Sequence, residues 1–86
     1  MKKEFNTIAS LVEKKSKVLD VGCGDGELMK YIDENITNDI RGLEISKSNV
    51  QKCVAKGLTV IEGDAENLPF NDNSFDKVLF FIDVIK

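Results

Sequence analysis

The chain of 86 residues carries 42% hydrophobic and 31% charged side chains, a formal net charge of −3, two cysteines and no histidine. This is the composition of one small soluble domain, residues 1–86, of a size that buries only about 60–65% of its unfolded surface. The acidic balance offers no basic face to a phosphate backbone, so no nucleic-acid partner is expected. No apolar run approaches the roughly 20 residues of a bilayer span, so no membrane association is expected either.

Without histidine there is no Ser-His or Cys-His nucleophile. Chemistry must then rest on carboxylates, backbone groups or a cofactor that is itself reactive. Cys23 and Cys53 are too few for a disulfide framework, and with no histidine near them no metal site is expected. The N-terminus, MKKEFNTIASLVEKK, lacks a signal-peptide core. With reduced thiols, that points to the cytoplasm.

Taken in chain order, Phe5, Ile8, Leu11 and Val12 lie at helical spacing and predict an amphipathic helix over 3–14. A polar break from Lys14 to Lys17 leads into a short apolar strand, Val18 to Val21, with a glycine loop immediately behind it. Residues 26–35 resume helical spacing through Leu28, Met29 and Ile32. Turn residues follow, and Ile40 to Ile45 reads as a second strand. Ser46 is a good N-cap, Val50, Cys53 and Val54 form one helical stripe, and Gly57 is a suitable stop. Leu58 to Ile61 reads as a third strand and residues 63–74 as a polar loop holding the single proline. Phe75 to Ile82 makes a fourth strand.

This order predicts an α/β, Rossmann-like fold with a parallel sheet in the order 3-2-1-4. Both crossover helices fall mainly on one face, and the polar loop is expected to leave the other uncovered. Phe80, Phe81 and Ile82 then lie on an exposed edge strand, open to self-association. The switch point falls between the first and fourth strands, where such sheets bind ligands at the carboxyl ends of the strands.

The loop at that point reads VLDVGCGDGEL. Glu27 stands where a dinucleotide fingerprint has its third glycine, and no Lys-Ser/Thr pair follows to make a P-loop. Three close glycines alone read equally well as a tight turn needing positive φ. The later acids change the balance. Glu44 closes the second strand 18 residues beyond Gly26, where an acid can accept both hydroxyls of a ribose. Asp64, after the third strand, can accept from an exocyclic amine, although by itself a turn aspartate after Gly63 is the simpler reading. Leu68-Pro69-Phe70 is either a wall for a flat ring or a buried anchor, and Asp76 reads as structural. Asp20, Asp25, Glu44 and Asp64 together would repel a pyrophosphate but suit a nucleoside carrying a cation. Such attraction at about 4 Å is worth roughly 1 kcal/mol in water and several times more where solvent is excluded.

In VLDVGCGDG, GLEIS, IEGDAENLPF and SFDKVLFF the chain resembles the successive motifs of class I S-adenosylmethionine-dependent methyltransferases. In RGLEISKSNVQKCVAKGLTVIEGD it is most similar to the MetW family of methionine-biosynthesis proteins. The resemblance implies S-adenosylmethionine as cofactor, with Asp20, Gly22, Gly24 and Gly26 at its methionine part and Glu44 on its ribose. Asp64 and Ala65 would meet the adenine through a side chain and a backbone N–H, and Cys23, Asp25 and Ile45 complete the cofactor-binding set. The superfamily's sheet has the strand order 3-2-1-4-5-7-6, so the chain is expected to be an N-terminal fragment lacking strands 5–7. No catalytic residue is assigned. Two functions follow: the cofactor-binding part of a methyltransferase with an unknown acceptor, or a non-catalytic subunit acting with homoserine O-acetyltransferase. An NAD-binding oxidoreductase domain is disfavoured by Glu27 and the acidic crevice.

Overall fold

The computed structural model describes Thr7, residues 10–67 and residues 74–80. Its elements are β1 (Val18–Val21), α1 (Glu27–Asn35), β2 (Ile40–Glu44), α2 (Lys47–Ala55), β3 (Val60–Glu62) and β4 (Lys77–Phe80). All strand pairs are parallel and the sheet order is β3-β2-β1-β4, as expected. Asp20 lies in register with Gly42 on one side and Leu79 on the other.

Strand alternation divides the core in two. On one face Val18, Ile40 and Leu79 pack with Leu28, Met29 and Ile32 of α1 and with Cys53 and Leu58. Met29 and Ile32 are fully buried, and each such side chain stabilises the fold by about 1.5–3 kcal/mol relative to exposure. On the other face Leu19, Val21 and Leu43 are buried, with Ala65 and Phe75 packed against them. The loop that was expected to leave this face bare therefore contributes Ala65 to it. Val78 and Phe80, on the same face of β4, are 40% and 59% exposed. Among the described residues β4 pairs only with β1, so it forms one edge of the sheet.

Several boundaries differ from expectation for identifiable reasons. The helix expected over 3–14 lies largely outside the described residues. Within them Thr7 is helical, but the chain already turns at 10–12, where the Ser10 hydroxyl donates to the Thr7 carbonyl. The third strand begins at Val60 rather than Leu58. Gly57, at φ +80°, donates its N–H to Val54 O, and Leu58 donates to Cys53 O. That is a Schellman stop, in which Leu58 is the apolar residue folded back against the helix. This accounts for its place in the helix-side core and for the correction at Val54, which is 59% exposed while Cys53 is fully buried. Ser46 does cap α2, accepting from Asn49 N–H at 3.3 Å.

β4 starts at Lys77, two residues later than expected, because Asp76 fastens its entry. Lys17 N–H donates to Asp76 Oδ2 and Asp76 N–H returns to Lys17 O, both at 2.8 Å. Asp76 is thus structural, as read. Phe81 and Ile82, and the Leu68-Pro69-Phe70 run, lie outside the described residues. No helix among the described residues is long and apolar enough to cross a membrane.

Candidate functional site

The glycine loop crosses the carboxyl ends of β1 and β2. Gly22, Gly24 and Gly26 all take positive φ, at +76°, +61° and +90°. The N–H groups of Gly22 and Cys23 both donate to Leu43 O, at 2.8 and 3.3 Å, which lays the loop over the end of β2. Gly26 is the N-cap of α1 and has no side chain with which to cap it. A Cβ at Gly26 would lie 2.6 Å from Leu58 Cδ1 and 3.0 Å from Cys53 Sγ, so the loop packs tightly on α2 and its exit. A Cβ at Gly24 would meet nothing within 4 Å. The loop is therefore closed on its inner side and open at Gly24.

Glu44 is buried, and both of its oxygens hold backbone. Gly24 N–H donates to Oε1 at 2.8 Å and Ser46 N–H to Oε2 at 3.1 Å. A carboxylate oxygen has more than one acceptor site, so these bonds leave room for a hydroxyl donor as well. Asp20 is 1% exposed, and its Oδ1 finds no hydrogen-bond partner among the described residues. Burial, with a smaller contribution from the Glu44 charge, raises its pKa from 3.8 to about 7.

A buried acid of this kind works against the free fold. Between pH 4 and 7 the native chain holds a proton on Asp20 that the unfolded chain has lost, so stability falls as pH rises through that window and levels off above it. Asp20→Asn should accordingly gain on the native protein in urea midpoint as pH rises from about 4 to 7, with a constant difference above. A difference that does not change with pH would show that Asp20 titrates normally.

The other expected residues occupy the rim. Asp25 is exposed, with Oδ1 accepting from Glu27 N–H at 3.3 Å and its carbonyl accepting from Lys56 Nζ at 2.7 Å. Ile45 is 67% exposed just past β2. Gly63 N–H donates to Glu44 O, which brings the chain beyond β3 alongside the end of β2. Asp64 follows there, exposed, its Oδ1 accepting from Glu66 N–H at 2.9 Å in a local turn. Ala65 is half-buried against the second core cluster. Asp20, Gly22, Cys23, Gly24, Gly26 and Glu44 thus form one connected centre, and Asp25, Ile45 and Asp64 stand around it.

Three contributors escaped the sequence reading. The Ser46 N–H anchors Glu44, a role hidden behind the visible N-cap signal. Cys53 Sγ donates to Gly24 O at 3.3 Å from a position legible only as a helical core residue. Lys56, a surface lysine in sequence, clips the loop at Asp25 from 31 residues away, and nothing in its local pattern marks it. A shallow polar depression lined by Lys15, Asp33, Asn35, Thr37 and Asn38 lies at the opposite, amino end of the sheet. Among the described residues no cluster of three or more cysteine or acidic side chains could hold a metal ion.

Comparison with known proteins gives one consistent picture. A phthiotriol/phenolphthiotriol dimycocerosates methyltransferase of Mycobacterium ulcerans is 37% identical over 81 residues, covering 87% of this chain and 30% of its own length. The YcgJ protein of Bacillus subtilis superposes with a TM-score of 0.76 at 25% identity, over 88% of this chain and 36% of that one. A Thermotoga maritima protein described as an S-adenosylmethionine-dependent methyltransferase, possible histamine N-methyltransferase, superposes at 0.74 with 28% identity, over 90% and 34%. The chain spans about a third of the length of these relatives. The model of the methionine biosynthesis protein MetW matches residues 2–84. Within the class I S-adenosylmethionine-dependent methyltransferase superfamily, the chain belongs to the MetW family.

Proposed function

We propose that the glycine loop and the ends of β1 to β3 bind S-adenosylmethionine, as the cofactor-binding part of a cytoplasmic methyltransferase. The carrying observation is Asp20 Oδ1, a buried carboxylate oxygen without a hydrogen-bond partner among the described residues, set beside Glu44. An orphaned buried acid costs the free protein stability, and a cationic ligand is the chemistry that offsets that cost. The donor set fits an adenosyl sulfonium. Asp20 would face the methionine part across the open side of Gly24, Glu44 would accept the ribose hydroxyls, and Asp64 and Ala65 would meet the adenine.

The bound cofactor would supply an activated methyl group. The protein's own residues bind and orient it and exclude water, with carboxylates holding positive charge where a dinucleotide site needs donors for phosphate. Calorimetric titration should show S-adenosylmethionine binding and no comparable binding of NAD; a preference for NAD would overturn the proposal.

A second reading takes up the methionine-biosynthesis description of the matching family. In it the chain keeps the cofactor loop but acts through a partner, homoserine O-acetyltransferase. Co-purification with that enzyme, together with a change in its rate on addition of this protein, supports the second reading. Methyl transfer by the chain's longer relatives without such a partner supports the first.

A further inference from the structure

We propose that Cys23 and Cys53 form a reversible disulfide that unseats the glycine loop and so makes ligand binding at this site redox-sensitive. The effect on ligand binding rests on the cofactor reading above; the cross-link itself does not. Cys23 lies within the loop, between Gly22 and Gly24, and Cys53 lies on α2 beneath it. Both are free and buried. Their sulfurs flank one atom, the Gly24 carbonyl oxygen, Cys53 Sγ at 3.3 Å and Cys23 Sγ at 3.8 Å. Two thiols set against one carbonyl oxygen, one in the glycine loop and one on the helix beneath it, are placed for a covalent change.

Closing it would move the loop. A sulfur–sulfur bond is about 2.05 Å long, far shorter than a thiol hydrogen bond. The cross-link therefore draws Cys23 toward α2 and removes the thiol donor from Gly24 O. The N–H of that same glycine is the group that Glu44 holds at 2.8 Å. Displacing Gly24 thus breaks the contact between the loop and the acid expected to carry the ribose.

Burial raises the pKa of both thiols, so they are protonated and shielded while the loop is closed. Exchange begins from a thiolate, and oxidation therefore waits on loop opening. One cysteine then attacks a small-molecule disulfide, forming a mixed disulfide and releasing one thiol. The second cysteine attacks the protein sulfur of that mixed disulfide and releases the other. The protein loses two protons and two electrons, and the small disulfide is reduced to two thiols. A ligand that holds the loop closed must oppose this, and by linkage the two effects are equal.

The test uses the 86-residue chain in glutathione redox buffers, quenched by alkylation and weighed. An internal Cys23–Cys53 disulfide should appear at oxidising poise, and the Gly24 amide resonance should move with it. Oxidised protein should bind S-adenosylmethionine at least tenfold more weakly. Each tenfold corresponds to a rise of about 30 mV in midpoint potential when the ligand is saturating. Cys53→Ser should bind the ligand indifferently to poise. Absence of the internal disulfide, an unmoved Gly24 amide, or equal binding by both forms would each overturn the proposal. Failure of the reduced chain to bind S-adenosylmethionine contradicts the cofactor reading instead, and the Gly24 resonance then decides the cross-link alone.

Discussion

Gly26→Ala should lower the unfolding free energy by about 2–4 kcal/mol, read from urea denaturation, and should weaken ligand binding with it. Two effects add at this position. The residue sits at φ +90°, where an L side chain is strained, and its Cβ would lie 2.6 Å from Leu58 Cδ1. Leu58 is itself fixed, because its N–H caps α2 and its side chain fills the core. Gly26 also accepts from Lys30 N–H in the first turn of α1, so its displacement frays the helix that follows. Gly24→Ala is the informative contrast. Its Cβ would enter open space, so only the left-handed strain, about 1–2 kcal/mol, should appear in stability. Its effect on ligand affinity should be at least as large as that of Gly26→Ala, because the new methyl would enter the open side where the ligand is proposed to lie. Equal stability losses in the two variants would show that the inner packing of the loop is looser than described.

Glu44→Ala should reduce ligand affinity by about 1–3 kcal/mol and fold stability by about 2 kcal/mol. The stability loss comes from Gly24 N–H and Ser46 N–H, which lose their charged acceptor together. Relief at Asp20 offsets part of it, since the Glu44 charge helps to raise that acid. The variant should therefore carry a second signature: Asp20 titrates below its native value of about 7, visible as a downward shift of the pH window in which stability falls. Glu44→Gln keeps one acceptor oxygen but not the charge, and should fall between the two. A Glu44→Ala protein with native stability and native affinity would show that Glu44 neither anchors the loop nor holds a ligand.

These effects explain what was readable from the residues alone. β1, α1 and the parallel order were legible because β-branched runs, helical spacing and glycine stops alternate along the chain, and only right-handed crossovers accommodate that alternation. The place proposed for the site was read from topology, and its acids from positions at strand ends, where Glu44 does close β2. The shift of the third strand was not legible, because Leu58 looks like the first residue of a β-branched run yet spends its N–H on the Schellman stop. Ala65 was expected to meet the ligand through its backbone N–H, and the packing of its side chain against the Leu19, Val21 and Leu43 cluster was not legible. Small apolar residues carry no sign of which surface they meet. Glu44 was read as a ribose acceptor, and its hold on Gly24 could not be read. Which backbone N–H a carboxylate finds depends on the φ values of three glycines, and the residue letters do not encode them.

The claim that an adenosyl sulfonium sits at the carboxyl ends of these strands is tested most directly by amide chemical shifts of the chain titrated with S-adenosylmethionine. Saturable changes should concentrate at Gly22, Gly24, Gly26, Glu44, Ile45 and Asp64. The depression around Lys15 and residues 35–38, at the other end of the sheet, should stay still. Saturable shifts confined to that far end, or none at saturating ligand, would contradict the account.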